Sequence, residues 1–399
     1  MRRITVLGVA TASLLSCTPS ERTQTPDLLY VWAFDTNLEA SDFLTVIDTD
    51  REASTYGAIL DTFPVGLVGG AHHTEHRMPD GNILFANAFP AGTTFLFDVT
   101  RPRAPAVASS FVERGAYTFL HSSERLPNGN VLATFQNRGD GNLEPGRLVE
   151  LDKEGRYVRG SDAADPDVDP QIRPYSLTIL PEIDRVISTT ADMRGKLLPT
   201  SVQLWQLSEL RLLKTVLLPP GERGDENQMP AEPRVLQDGR SVVVNTFSCG
   251  LYLLTELKTA EPVATHLHTF PYEAPHRCAL AARIGDFWVQ TVPRSEALVS
   301  LDLSDPSAPR LVQELKLGEN YRPHWMAADR SGSRIVVTGR GDMQHRVLLV
   351  RFDPESGQME LDADFRDEGS QVPGVSFDRA TWPHGDTGAA TPHGAVFYR

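Results

Sequence analysis

Basic charge, cysteine and long apolar runs are all scarce in this chain, and each scarcity closes off a class of function. Its 399 residues include 38 Lys or Arg against 52 Asp or Glu. Binding nucleic acid needs concentrated positive charge to meet the phosphates, and none of the charge runs here is basic, so a nucleic-acid partner is excluded. No GxSxG turn is present, which removes the usual seat of a nucleophilic serine. The apolar stretch at the N-terminus, Ile4 to Leu15, is too short to span a bilayer as a helix. No later stretch keeps a long helical period.

That first stretch, MRRITVLGVATASLLSCTPS, has two arginines, an apolar run and then Ser16 and Cys17, the shape of a secretory signal. Leu14-Leu15-Ser16-Cys17 resembles a bacterial lipobox, in which the cysteine becomes the lipidated N-terminus; the alternative is an ordinary cleaved signal with a chance cysteine. The expectation is a signal peptide over 1–17, a flexible tether over 18–28 and a folded body over 29–399. Such a protein is extracytoplasmic, a periplasmic or outer-membrane lipoprotein of a bacterium that meets the membrane only through its anchor. Only Cys249 and Cys278 remain after Cys17. In an oxidising compartment they read first as a disulfide, with a thiolate ligand and two inert thiols as alternatives.

What is abundant is a short β pattern. The segments FLTVIDTD, TFLFDVTR, RLVELDKE, VQLWQLSE, LYLLTELK, LVSLDLSD and VLLVRFDP are seven versions of one strand with a polar turn after it. Their aspartates, Asp48, Asp98, Asp152, Asp302 and Asp353, lie 50, 54, 150 and 51 residues apart, the 150 spanning the two copies that lack the aspartate. Seven copies near a fifty-residue period predict an all-β, seven-bladed propeller, because a four-stranded blade buries its faces only against its neighbours. The last blade is split between the chain ends, which closes the ring and removes free sheet edges. Its inner strand is expected to start near His384, with FLTVID and the segment around YGAILDTF as third and fourth strands. Either YVWAF or HGAVF supplies its second.

Reading back from each tight turn to the start of the inner strand gives AHHTEH, FLHSSE, IRPYSL, PAEPRV, APHRCA, YRPHWM and TWPHGD. Five of the seven carry histidine: His72 with His73, then His121, His276, His324 and His384, while Tyr175 and Glu232 occupy the other two. The whole chain has only 11 histidines, far too few for chance to place them so. Inner strands line the propeller axis, so equivalent positions form a ring at one mouth of the channel. Converging imidazoles gain most when neutral nitrogens share a cation, and imidazole suits copper, zinc, iron or nickel. The long connections NRGDGNLEPG, GSDAADPDVDP, ADMRGKLLPT and PPGERGDENQMP return to the same face. His393 is placed in a turn on the far side, and His266, His268 and His345 fall outside the ring register. His76 is either a partner behind the ligands or simply an inner-strand residue.

The chain resembles the selenium-binding protein family, which includes the bacterial methanethiol oxidases. The likeness runs through YVWAFDTN, DFLTVIDTD with STYG, GAHHTEHRMPDGNILFAN, RLPNGNVLATFQ, NTFSCGLY, PHWMAADRSGSRIVVTG and WPHGDTG. It implies a seven-bladed propeller and, as in the oxidases, copper held by channel histidines. By motif that role passes to His72, His73, His121 and His384, and to His324 through its PHW context. Eukaryotic members carry cysteines shortly after the paired histidines; here Thr74, Glu75 and His76 follow, so selenium binding through such a cysteine does not carry over.

Three functions lead from the sequence, and lactone hydrolysis on a related propeller shape, with carboxylates and a hard cation, also stays open. The first is a copper-dependent oxidase of a small thiol such as methanethiol, with dioxygen as the second substrate. The second is a non-catalytic periplasmic metal, selenium or ligand binder. The third is a propeller used as a protein-interaction platform.

Overall fold

The computed structural model describes residues 26–139, 144–169, 171–270, 278–339 and 345–398. The leader with Cys17, and His276, therefore lie outside the described residues. Among the described residues no helix is long and apolar enough to cross a membrane.

The fold is the expected all-β, seven-bladed propeller. Blade one has strands Ile83–Ala88, Thr93–Asp98 and Ala106–Phe111, with residues 72–75 along its inner edge. Blade two runs outward from Tyr117–Arg125 through Val131–Arg138 and Arg147–Leu151 to Tyr157–Asp162, and blade three from Pro174–Leu180 through Arg185–Thr190 and Ser201–Gln206 to Arg211–Leu217. Blade four starts with Pro230–Val235 and Val242–Thr246, blade five with Ala281–Ile284 and Phe287–Val292, and blade six with Pro323–Ala328 and Arg334–Gly339.

Blade seven joins the chain ends. Ala390–Tyr398 is innermost and pairs with Leu28–Asp35, from Leu28 opposite Tyr398 to Asp35 opposite Ala390; Phe43–Asp48 and Ile59–Pro64 complete the sheet. YVWAF thus supplies the second strand and HGAVF the inner one. The inner strand does not start near His384, because Trp382–Gly385 closes a turn on itself before the strand begins.

The third strands are apolar on both faces because each blade is sandwiched between two others: every residue of Phe43–Asp48 is buried. Between blades seven and one, Trp32 meets Phe95 and Phe97 edge-on at 5.7 and 5.5 Å. Outer strands such as Ala106–Phe111 face solvent. The repeated aspartates are turn residues. Asp48, Asp98, Asp152, Asp302 and Asp353 each accept a hydrogen bond at 2.7–3.0 Å from the backbone N–H two residues on, the turn that an aspartate at this position makes unaided.

Candidate metal centre

Each inner strand is interrupted by a β-bulge at the same height. In blade one the His72 N–H bonds the Asn87 carbonyl at 2.8 Å and the Asn87 N–H bonds the His73 carbonyl at 2.9 Å, so two residues face one. The same two-against-one step falls at His121–Ser122, Tyr175–Ser176, Ala231–Glu232, Ala279–Leu280, His324–Trp325 and His393–Gly394. A bulge twists a strand and re-aims its side chains. Repeated seven times, it turns one residue class toward one point on the axis.

A closed circuit of hydrogen bonds fixes the bulges to one another. Blade one passes to blade two through the Asn87 side chain, which donates to the carbonyls of Leu120 and His121 at 2.8 Å. Thr134 bonds the Tyr175 carbonyl at 2.8 Å, Thr189 that of Ala231 at 2.6 Å and Asn245 that of Ala279 at 2.8 Å. The Leu280 N–H then reaches the His324 carbonyl, Thr338 the His393 carbonyl, and the Trp32 indole the Asn87 carbonyl at 2.8 Å. Gly394 is needed where blade seven passes closest to blade one: a Cβ there would lie 2.5 Å from the Thr74 nitrogen and 2.8 Å from the His72 oxygen.

Five histidines meet inside this circuit, none more than 7% exposed. The rings of His72 and His73 stack at 3.9 Å; His73 lies 4.6 Å from His121, His72 lies 4.5 Å from His393, and His393 lies 4.9 Å from His324. His72, His73 and His121 offer nitrogens all within 4.8 Å of one another, and so do His73, His324 and His393. These are two triads that share His73, and either could hold a metal ion.

Proton positions favour that use. His121 Nδ1 lies 2.8 Å from the Tyr175 carbonyl and His393 Nδ1 lies 2.6 Å from the His72 carbonyl. A carbonyl only accepts, so each Nδ1 carries the hydrogen, and a neutral ring then has its lone pair on Nε2. Burial, followed by the neighbouring rings of His72, His121, His393 and His324, holds His73 well below the ordinary imidazole range, so it is uncharged at neutral pH. Its Nε2 is buried without a hydrogen-bond partner among the described residues, at a cost of about 1–3 kcal/mol that a cation would relieve. Donor type, protonation and burial all fit a metal that prefers imidazole.

Of the six histidines expected at the ring, His72, His73, His121 and His324 come together. His384 does not join them. Its Nδ1 bonds Thr62 at 2.7 Å, its Nε2 faces Thr387 at 3.3 Å and its ring packs 4.7 Å from Phe43, so it pins a loop of blade seven. The place expected for it belongs to His393, which lies on the inner strand and not in a far-side turn. The signal was available: WPHGD and TPHGA both carry Pro-His-Gly, but only the second is part of an apolar β segment, the strand Ala390–Tyr398. Cys249 and Cys278 are joined in a disulfide with Cα atoms 5.0 Å apart, between blade four and the segment entering blade five.

Beneath the histidines the channel has a polar floor. The Trp325 ring lies 4.7 Å from His73 and stacks on His76 at 4.2 Å. His76 stays neutral, its imidazole held well below the usual range by burial and then by Arg234. Arg234 donates to His76 Nε2 at 3.3 Å and to Glu232 Oε2 at 2.8 Å. Glu124 is close by, its carboxyl pushed up to about 7 by burial against the pull of Arg234.

A protein of Sulfolobus tokodaii, described as a hypothetical selenium-binding protein, superposes with a TM-score of 0.76 over 93% of each chain at 16% identity. The periplasmic gluconolactonase of Pseudomonas aeruginosa gives 0.64 over 94% of this chain and 99% of that one, at 14% identity. The likeness is one of fold. No family model matches the sequence, and no curated protein matches it.

Proposed function

We propose that His72, His73, His121, His324 and His393 hold copper, and that the protein oxidises a small thiol of the methanethiol kind with dioxygen. The observation that carries the reading is the pair of histidine triads sharing His73, buried, neutral and oriented by backbone carbonyls. Copper, when bound, supplies a redox centre able to polarise a thiol sulfur and pass electrons. The chain does the rest. Tyr175 and His72 hold the rings of His121 and His393 through their carbonyls, and Trp325 and Phe89 pack around the cluster and keep water from it. Zinc is the alternative ion, since imidazole suits it equally. Export and a lipid anchor at Cys17 belong to the same proposal; the Cys249–Cys278 disulfide supports them, because such bonds persist in oxidising compartments.

One observation favours a second reading. With every ring histidine at most 7% exposed, the cluster also suits a metal held without turnover. Metal content of the purified protein before and after chelation and copper loading tests the shared premise, and methanethiol-dependent oxygen uptake then separates the two. A single copper per chain with oxygen uptake is expected. Failure to retain any metal after loading overturns the reading, and copper without uptake leaves the non-catalytic one.

A further inference from the structure

Glu232 is the second bulge residue of blade four, the register position that His73 holds in blade one, so it lies at the height of the histidines. It is wholly buried. One carboxylate oxygen is fully engaged: Oε2 accepts from the Ser176 hydroxyl at 3.0 Å and from Arg234 at 2.8 Å. The other, Oε1, is buried with no hydrogen-bond partner among the described residues. His76 faces the carboxylate from blade one, Nε2 to Oε2 at 3.7 Å, but with its Nδ1 hydrogen on the Met326 carbonyl and its Nε2 accepting from Arg234 it has no proton to give. Ser176 faces it from blade three, Arg234 from its own strand, and Glu124 shares the Arg234 charge from blade two. A side chain held rigidly by one oxygen and open at the other is built to receive a proton from something that is not part of the protein.

We propose that Glu232 Oε1 is the proton acceptor for the thiol that enters the histidine cluster. The S–H bond breaks, its electron pair stays on sulfur, and the proton moves to Oε1, while Arg234 and Ser176 hold the carboxyl group in place. No net charge enters the channel, which is what a buried, low-dielectric site requires. The inference rests on the thiol reading above and adds to it the group that makes the sulfur a nucleophile.

The test uses the full chain loaded with zinc, so that no electron transfer intervenes, and ethanethiol as probe. Thiol binding is measured calorimetrically in two buffers of different ionisation enthalpy, between pH 6 and 8. The wild type keeps the proton: no proton reaches the buffer and affinity is flat with pH. E232Q keeps an acceptor for Ser176 and Arg234 but has nowhere to put the proton. One proton then passes to the buffer, and affinity falls about tenfold for each unit the pH is lowered. If E232Q does not fold, E232D, with its carboxylate drawn back by one carbon, shows the same release. A zinc-loaded wild type that releases a full proton overturns the role of Glu232 and leaves the metal site standing. E232Q that no longer loads zinc also overturns it, by making the residue a ligand. A wild type that takes no zinc fails at the first step and sinks the reading beneath.

Discussion

The side chain of Asn87 binds His73 and, one blade away, His121. Its Oδ1 accepts from the His73 N–H at 2.7 Å while its Nδ2 donates to the His121 carbonyl at 2.8 Å. Asn87→Ala strips both ties and leaves buried backbone groups without partners, at about 1–3 kcal/mol each. A loss of about 3 kcal/mol or more in urea unfolding is expected, together with metal affinity weakened about 10–100-fold, as when partners behind metal ligands are removed. Unchanged affinity in a folded variant would show that the circuit does not position the ligands.

His393→Ala and His384→Ala make opposite predictions. The first removes a member of the His73–His324–His393 triad and should lose metal to a chelator that the parent withstands. The second removes the bonds to Thr62 and Thr387 and a ring contact with Phe43, none of them in the cluster, and should keep the metal at a cost of about 1–3 kcal/mol of stability. Metal content after dialysis against graded chelator decides between them.

Asp42 gives the stability a pH dependence. It is wholly buried beneath the loop that leads to His72, and burial raises its carboxyl to about 6 from 3.8, against the opposing hydrogen bonds of Gly69, Gly70 and Ala71. The folded state therefore holds this proton more tightly than the unfolded chain. The stability so gained is fully present below pH 3.8 and is lost as pH rises through about 6, a change of up to roughly 3 kcal/mol. Asp42→Asn cannot ionise. The difference in unfolding free energy between parent and D42N should shift across pH 4–6 and be flat above pH 7.

Much of the propeller was legible because its period is covalent: a turn-forming aspartate recurs in five of seven copies, and apolar third strands precede it. The closing blade was not. Its inner strand follows blade six after a long irregular connection, so the fifty-residue interval fails there, and two Pro-His-Gly segments compete for one place. Spacing favours His384 whereas His393 joins the cluster, because spacing cannot say which of the two enters a sheet. The bulges were also illegible. They arise from pairing between strands, and nothing local in Tyr175–Ser176 or Ala231–Glu232 announces that two residues will face one.

The disulfide closes a loop between positions 29 apart. In the chain-entropy account a link of that span stabilises by about 3–4 kcal/mol. Cys249→Ala with Cys278→Ala should lower the unfolding free energy by that amount, read by urea denaturation, while the metal content stays unchanged.

The two triads differ in the span of chain they require. His72, His73 and His121 come from adjoining blades, and a growing chain can bring them together once its first third exists. His393 lies 321 residues beyond His72, and its strand is the one that seals the circle. No partial ring contains the second triad. A protein cut short by its last ten residues would lose an edge partner and a ligand in one stroke, so completeness of the chain and competence of the site are tested by the same few residues.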